Sequence, residues 1–274
     1  MKMKKLSLIK AVFITTVLFA ANALAFETPK DEDVHSYLNL SGANKALSAI
    51  PAQIAMMGQQ ANLTNNNPEQ NRKATEAILS AWDEQEVNQA VFDHVKNNIS
   101  AEQLGQLLAW LKTDFTHRIK QAEGQSTEPQ FQAEFMRYMA EIQTAPPSEA
   151  RIAQINEFVD VAQSVDYTAD LVVDIVKAIA ASEGSKSEEE VTTMAEQMKS
   201  MMVPQLDQQL KMVSFYVYRD INDQDLAKYI DFYREELGQK EISLMYAAIG
   251  KGVARWSSRL GAAIKAEKLA TSEE

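Results

Sequence analysis

Cysteine is absent from the 274 residues, and glycine and proline are scarce, with 9 and 7 copies. Without cysteine the chain forms no disulfide and supports no thiolate zinc site, iron–sulfur cluster or cysteine nucleophile. The glycine and proline contents are about half those of an average globular protein, which disfavours turn-rich β architectures. The only histidines are His35, His94 and His117, and none has a second histidine one helical turn away. We therefore predict no metal site.

Recognisable catalytic motifs are missing too. The chain has no Gly-x-Ser-x-Gly elbow, no phosphate-binding glycine loop and no His-Glu-x-x-His motif. Asp and Glu number 38 against 27 Lys and Arg, which gives a net charge of -11. Such an acidic chain repels phosphate backbones, so nucleic acid is not the expected partner. These observations predict a protein that is not an enzyme, with no catalytic residue and no cofactor.

The first 25 residues have the pattern of a secretory signal peptide. Four lysines precede a mostly apolar stretch from Ala11 to Ala21. Ala23-Leu24-Ala25 then has the small-x-small pattern of a cleavage site. The apolar stretch is shorter than the roughly 20 residues that a permanent membrane anchor needs. We predict export to the periplasm with cleavage after Ala25 and no transmembrane anchor in the mature form. Removing residues 1 to 25 takes away four lysines and no acid, so the net charge goes from -11 to -15.

Apolar residues recur every three or four positions along most of the remaining chain, which predicts an all-α fold. Two such runs are Leu104, Leu107, Leu108 and Leu111, and Leu226, Tyr229, Ile230 and Tyr233. Helix-stopping clusters predict breaks at Ser41-Gly42, Asn62 to Pro68, Gly124 to Pro129, Ala145-Pro146-Pro147 and Ser182 to Ser187. Pro51 and Pro204 lie inside helical patterns, where we expect each to kink or restart the helix.

The helical pattern occurs twice. Residues 98–112 align with residues 220–234 at an offset of 122, with Ser100 and Asn222 as matching N-cap candidates. Trp110-Leu111 in the first copy corresponds to Phe232-Tyr233 in the second. We predict two related helical units of several amphipathic helices, 26–144 and 145–266, followed by a polar tail, 267–274. The pattern leaves open whether the units form one helical bundle or two lobes.

A resemblance to a known family accompanies the second copy. Residues 221–240 carry an N-cap, an acidic turn, Phe232-Tyr233 and then Gly238-Gln239-Lys240, and in this they resemble the bacterial secreted family catalogued as domain of unknown function 2059. The run from Leu38 to Gly42 is similar to the opening helix of that family. The resemblance implies two tandem copies of a helical, exported domain with no assigned activity. It makes Phe232, Tyr233, Gly238, Lys240 and Trp110 candidate family-motif residues, or candidate contacts for an apolar ligand.

Three further features are candidates for binding. An aromatic group in the second unit predicts either a filled core, the preferred interpretation, or the lining of a cavity; its members are Phe215, Tyr216, Tyr218, Tyr229, Phe232, Tyr233 and Tyr246. Lys251, Arg255 and Arg259 form a basic stripe that could neutralise the protein's own acidic surface, bind an acidic partner, or contact anionic lipid or a cell-wall polymer. Four methionines share one helix face, where core packing is preferred over Cu(I) binding; they are Met194, Met198, Met201 and Met202.

These features together predict a periplasmic, non-enzymatic binding or interaction protein of the cell envelope. Its partner would be an unidentified envelope protein or a small apolar ligand, and the oligomeric state is left open. One alternative is a carrier that holds a small apolar ligand between helices near the aromatic group. A further alternative is an enzyme of unrecognised type, which requires a polar cleft with converging titratable groups.

Overall fold

The computed structural model describes residues 27–64, 68–183 and 187–272, and over these residues the chain is all-α, with no strand. The predicted signal peptide, 1–25, lies outside the described residues. The helices are α1 Asp31–Leu40, α2 Ala43–Thr64, α3 Pro68–Ser80, α4 Glu84–Asn98, α5 Ala101–Leu111, α6 Asp114–Gly124, α7 Phe131–Thr144, α8 Glu149–Val161, α9 Ser164–Glu183, α10 Glu188–Val217, α11 Asp223–Arg234 and α12 Glu236–Ser272. A short 3₁₀ turn, Gln125–Thr127, follows α6. Within the described ranges, none of the helices combines the length and apolar character needed to cross a membrane.

Side-chain caps fix where several helices begin. The Ser100 hydroxyl accepts a hydrogen bond from the Gln103 amide, and the Gln103 side chain accepts one from the Ser100 amide, so α5 starts with a complete capping box. The Asn222 side chain caps α11 by accepting from the Asp225 amide at 2.8 Å. Both predicted N-caps are confirmed, and each satisfies a backbone donor that the first helical turn leaves free.

Helix breaks fall where the sequence predicts them at 41–42, 124–129 and 145–147. Between α1 and α2, Gly42 has a φ of 83°, a left-handed conformation that glycine adopts without a steric cost. The prolines behave differently, because α2 and α10 continue through Pro51 and Pro204. Neither proline restarts its helix, and the alternative, a kink at each proline, stays a prediction. In addition, α12 continues to Ser272 and so includes the start of the predicted polar tail, 267–274.

Helix order and packing support the predicted duplication. Helices α5 and α6 begin at residues 101 and 114, and α11 and α12 begin at 223 and 236, so both pairs differ by the predicted offset of 122. Packing follows the same order, since α1 contacts α4 and α5 while α8 contacts α10 and α11. Trp110 and Phe232, which are equivalent under this offset, stack on each other with ring centroids 3.6 Å apart. The two tandem units stay a prediction, which the matching helix starts and helix contacts support.

The two halves share one apolar core. Buried side chains from α1, α4 and α5 belong to the same cluster as buried side chains from α11 and α12. Helix α12 joins the halves, because it packs along both α4 and α9. Just past its midpoint, the Trp256 indole N–H donates to the Ile78 carbonyl at 3.1 Å. Of the two arrangements left open by the sequence, the chain adopts one bundle.

Candidate functional site

A cavity of about 1040 Å³ lies between the ends of several helices. Its walls come from the α1–α2 junction, from α6 with its 3₁₀ turn, and from α8, α11 and the first half of α12. Aromatic and aliphatic side chains form much of the lining, among them Phe158, Tyr229, Tyr233, Ile242, Met245 and Tyr246. Charged side chains complete it, above all Lys120, Glu123 and Glu241. This volume suits a small molecule, and the mixed lining is typical of a ligand site.

Helical spacing brings these groups to the cavity. Lys120 and Glu123 are three residues apart on α6, and Tyr229 and Tyr233 are four residues apart on α11, so each pair shares one helix face. On α12, Glu241 lies four residues before Met245 and therefore faces the same wall.

Glu123 is the centre of a hydrogen-bond network at the cavity wall. Its Oε1 atom accepts hydrogen bonds from the hydroxyls of Tyr218 at 2.8 Å and Tyr229 at 2.7 Å. Its Oε2 atom accepts from the Lys120 ammonium at 2.9 Å, which makes an ion pair of two largely buried side chains. The Tyr229 and Tyr233 hydroxyls lie 3.3 Å apart and extend the network to α11's next turn. Every oxygen of Glu123 therefore has a donor.

Glu241, by contrast, is buried with little compensation. It is only 4% exposed, and its Oε1 atom accepts one long hydrogen bond, 3.4 Å, from the Tyr37 hydroxyl. Its Oε2 atom has no hydrogen-bond partner among the described residues. Burial raises the pKa of Glu241 above its usual value, although the nearby Lys120 ammonium and tyrosine hydroxyls favour the ionised form. A buried oxygen without a donor costs stability, so its position at a cavity calls for an explanation.

Electrostatics keeps the surrounding groups in defined protonation states. Burial raises the pKa values of Tyr37, Tyr218, Tyr229 and Tyr233 well above their ordinary value, with Glu123 or Glu241 adding to the effect. The four hydroxyls therefore stay protonated and act as neutral hydrogen-bond donors.

Lys120 stays charged despite its burial. Desolvation acts to lower the pKa of Lys120, but the carboxylates of Glu123 and Glu241 together raise it above its ordinary value. The Lys120 ammonium also lies 5.5 Å from the centre of the Tyr229 ring, which shows that this ring face accepts a cation.

Only one of the five candidate motif residues lines the cavity, and it is Tyr233. Trp110 and Phe232 instead pack against each other at the interface between α5 and α11. Gly238 has a packing role, because a Cβ atom there would lie 2.8 Å from the Tyr233 Cα and even closer to the Phe232 carbonyl oxygen. Lys240 is half-buried outside the cavity lining, beyond contact with a ligand there.

Members of the aromatic group lie in the core, at the cavity or at both. Tyr229, Tyr233 and Tyr246 line the cavity, and Tyr229 and Tyr233 are at the same time buried members of the core cluster. Tyr216 and Tyr218 are buried in the core with polar partners, since the Tyr216 hydroxyl donates to Glu134 at 2.6 Å. Burial in the core, the preferred interpretation, therefore holds for Tyr229 and Tyr233 as well, and the cavity lining is an additional feature of these two residues.

The basic stripe is partly neutralised by the protein itself. Arg259 forms ion pairs with Asp83 and Glu86 and donates to the Ala81 carbonyl, so it ties α12 to the α3–α4 junction. Lys251 and Arg255 are exposed on the same helix. For Arg259, neutralisation of the protein's own acidic surface is thus the interpretation that the contacts support.

The methionine face of α10 is partly open to solvent. Met201 is 70% exposed, so its predicted core position is wrong. The buried positions on that stretch of α10 are Val191 and Ala195, which take the inward face instead. His35 packs its ring 4.6 Å from Phe92, as an aromatic contact. No cluster of three His, Asp or Glu side chains in the described ranges is placed to hold a metal ion.

Sequence reasoning missed Lys120, Glu123 and Glu241. Charged residues on amphipathic helices normally face solvent, and nothing in a single sequence says which distant helix covers them. Glu241 does have a local signal: it lies four residues after Leu237 and three before Leu244, on the apolar face of α12. A charge in such a position is a candidate for a buried, functional carboxylate.

Comparison of the chain with models of known protein families, with curated proteins and with solved structures finds no match. The resemblance to the secreted helical family therefore stays a prediction.

Proposed function

We propose that the protein is an exported, periplasmic binding protein that holds a small amphipathic ligand in the cavity between its helices. The observation that carries this proposal is the cavity itself, about 1040 Å³ with aromatic walls and a few converging polar groups. A filled core in this region would have counted against a carrier. The structure instead combines apolar surface for burial with charged groups that can fix orientation, as ligand sites usually do.

The alternative contact surface, the basic stripe on α12, is less suited to a partner. Arg259 is committed to Asp83 and Glu86, and its guanidinium also supports a backbone carbonyl. A partner would have to displace these contacts or bind through Lys251 and Arg255 alone. The cavity therefore has the stronger claim to the binding role.

The proposed compartment rests on the signal-peptide pattern of residues 1–25. The acidic composition and the lack of cysteine are compatible with a soluble periplasmic protein.

Native mass spectrometry of the protein purified gently from the periplasm of its own cells tests the proposal. We expect a chain that begins at Phe26, together with a population that carries extra mass from a noncovalent ligand. A spectrum that contains only the unliganded mature chain would overturn the retained-ligand function. A chain that keeps residues 1–25 would overturn the proposed export and cleavage.

The enzyme alternative has one observation in its favour, the convergence of Lys120, Glu123 and Glu241 at the cavity wall. Titratable groups that converge in a cleft, two of them here with raised pKa values, are typical of catalytic sites. Incubating the released ligand with fresh protein distinguishes the two functions. A binding protein returns the ligand with its mass unchanged, whereas an enzyme of this kind changes the mass or structure of the ligand.

A further inference from the structure

The buried part of the cavity wall has two carboxylates, Glu123 and Glu241, but only one ammonium group, that of Lys120. The Lys120 ammonium donates a hydrogen bond to Glu123, which also accepts hydrogen bonds from two tyrosine hydroxyls. Glu241 accepts the long hydrogen bond from Tyr37 and also interacts with the Tyr233 hydroxyl, and both of these donors are neutral. When both carboxylates are ionised, these three charged side chains carry a net charge of -1.

Other cations that line the cavity are engaged at a distance from Glu241. Lys45 donates to the Gly124 carbonyl and pairs with Glu128 at 3.2 Å. Arg219 stacks over a tyrosine ring of the core at 4.0 Å and pairs with Asp220. Neither side chain contacts Glu241 among the contacts of the described residues.

We propose that Glu241 receives the ammonium group of the ligand, so that the cavity selects small amphipathic amines over neutral or anionic molecules of the same size. The inference rests on the proposed function of the cavity. Its basis is the unpartnered Oε2 atom of a carboxylate that is 96% buried in the cavity wall. An ammonium group donates a charge-assisted hydrogen bond to such an oxygen and also balances the excess negative charge.

The aromatic lining fits the same ligand class. Tyr229 and Tyr233 lie on the wall beside Glu241, and Phe158 stacks on Tyr229 with ring centroids 5.7 Å apart. Aromatic ring faces attract cations and also bury the apolar body of an amphipathic molecule. The protein already uses one of these faces for its own Lys120 ammonium.

Isothermal titration calorimetry with three matched probes tests the inference. The probes are phenethylamine, which is cationic at neutral pH, phenethyl alcohol, which is neutral, and hydrocinnamate, which is anionic. We expect the wild type to bind phenethylamine about tenfold or more tightly than phenethyl alcohol, the effect of one charge-assisted hydrogen bond. Hydrocinnamate should bind more weakly than either of the others.

The variant Glu241→Gln keeps the size of the side chain and removes the charge, so it should bring the affinities for the amine and the alcohol within about threefold of each other. Glu102→Gln is the matched control, since Glu102 is exposed on α5 outside the cavity lining. It should keep the preference for the amine.

Equal affinities of wild type for amine and alcohol, or a preference for hydrocinnamate, would overturn the inference while leaving the cavity as a binding site. Preserved amine preference in Glu241→Gln would overturn it as well. Failure of all three probes to bind would count against the proposed function itself, and the inference would fall with it. The wild-type comparison stands on its own if the variant does not fold.

Discussion

Replacing Glu123 with alanine should lower the free energy of unfolding by about 3 to 4 kcal/mol, because three buried donors lose their common acceptor. The hydroxyls of Tyr218 and Tyr229, which are 4% and 1% exposed, each donate to Oε1, and the Lys120 ammonium donates to Oε2. An orphaned neutral donor costs about 1 kcal/mol, and a lost charged hydrogen bond costs about 1.5 kcal/mol or more. Water from the cavity can reach the vacated space, which is why the lower end of the range applies to each donor.

Urea unfolding followed by far-UV circular dichroism measures this change. The matched control is Glu128→Ala, which removes a carboxylate from the same cavity but breaks only exposed or partly exposed contacts, those with Lys45 and Gln130. That variant should lose less than about 1 kcal/mol. If Glu123→Ala falls within about 1 kcal/mol of the wild type, or matches Glu128→Ala, the Glu123 network does not contribute to stability as the geometry indicates.

Four other substitutions give contrasting results in the same unfolding measurement. Gly238→Ala should lower the free energy of unfolding by about 1 to 3 kcal/mol, because the new Cβ atom meets backbone atoms of α11. Gly105→Ala, with open space around it, should raise the free energy of unfolding by about 1 kcal/mol. Equal effects of the two substitutions would refute the close-packing argument. Ser100→Ala should cost about 1 kcal/mol through loss of the α5 cap, and a neutral result would remove the cap from the account. Glu241→Gln should stabilise the protein increasingly as the pH rises above 4.5, the ordinary value for Glu. Because the pKa of Glu241 is raised in the folded state, the wild type loses stability as the pH rises from 4.5 to that raised value, and the Gln variant does not. A difference between variant and wild type that stays constant with pH would contradict the shift.

The local features of the fold could be predicted because they depend on neighbouring residues. Ser100 and Asn222 cap α5 and α11 as predicted. Gly42 adopts a left-handed conformation at a predicted helix break. The offset of 122 also reappears in the starts of α5, α6, α11 and α12. Capping, turn formation and helical periodicity are encoded within a few residues, so a single sequence is sufficient for them.

Long-range packing could not be predicted in the same way. Helix α12 could have packed only against helices of the second half, but it also packs against α4 of the first half. That contact depends on complementary surfaces that lie far apart in the chain. The cavity arises from that packing, because Glu123 and Tyr229 are 106 residues apart and yet hydrogen-bonded. Pro204 shows that a local rule alone does not place a helix boundary, since the 30-residue helix α10 continues through it.

Retention of the native ligand by a cavity-blocked variant is the most direct test of the central claim. Ala46 is exposed and lines the cavity, so Ala46→Trp places a large ring at the site without disturbing the core. Ala109→Trp is the matched control, at an exposed position of α5 outside the cavity lining. With both variants purified as the wild type and compared by native mass spectrometry, the account predicts that Ala46→Trp loses the extra mass and Ala109→Trp keeps it. Full retention by Ala46→Trp would contradict the account.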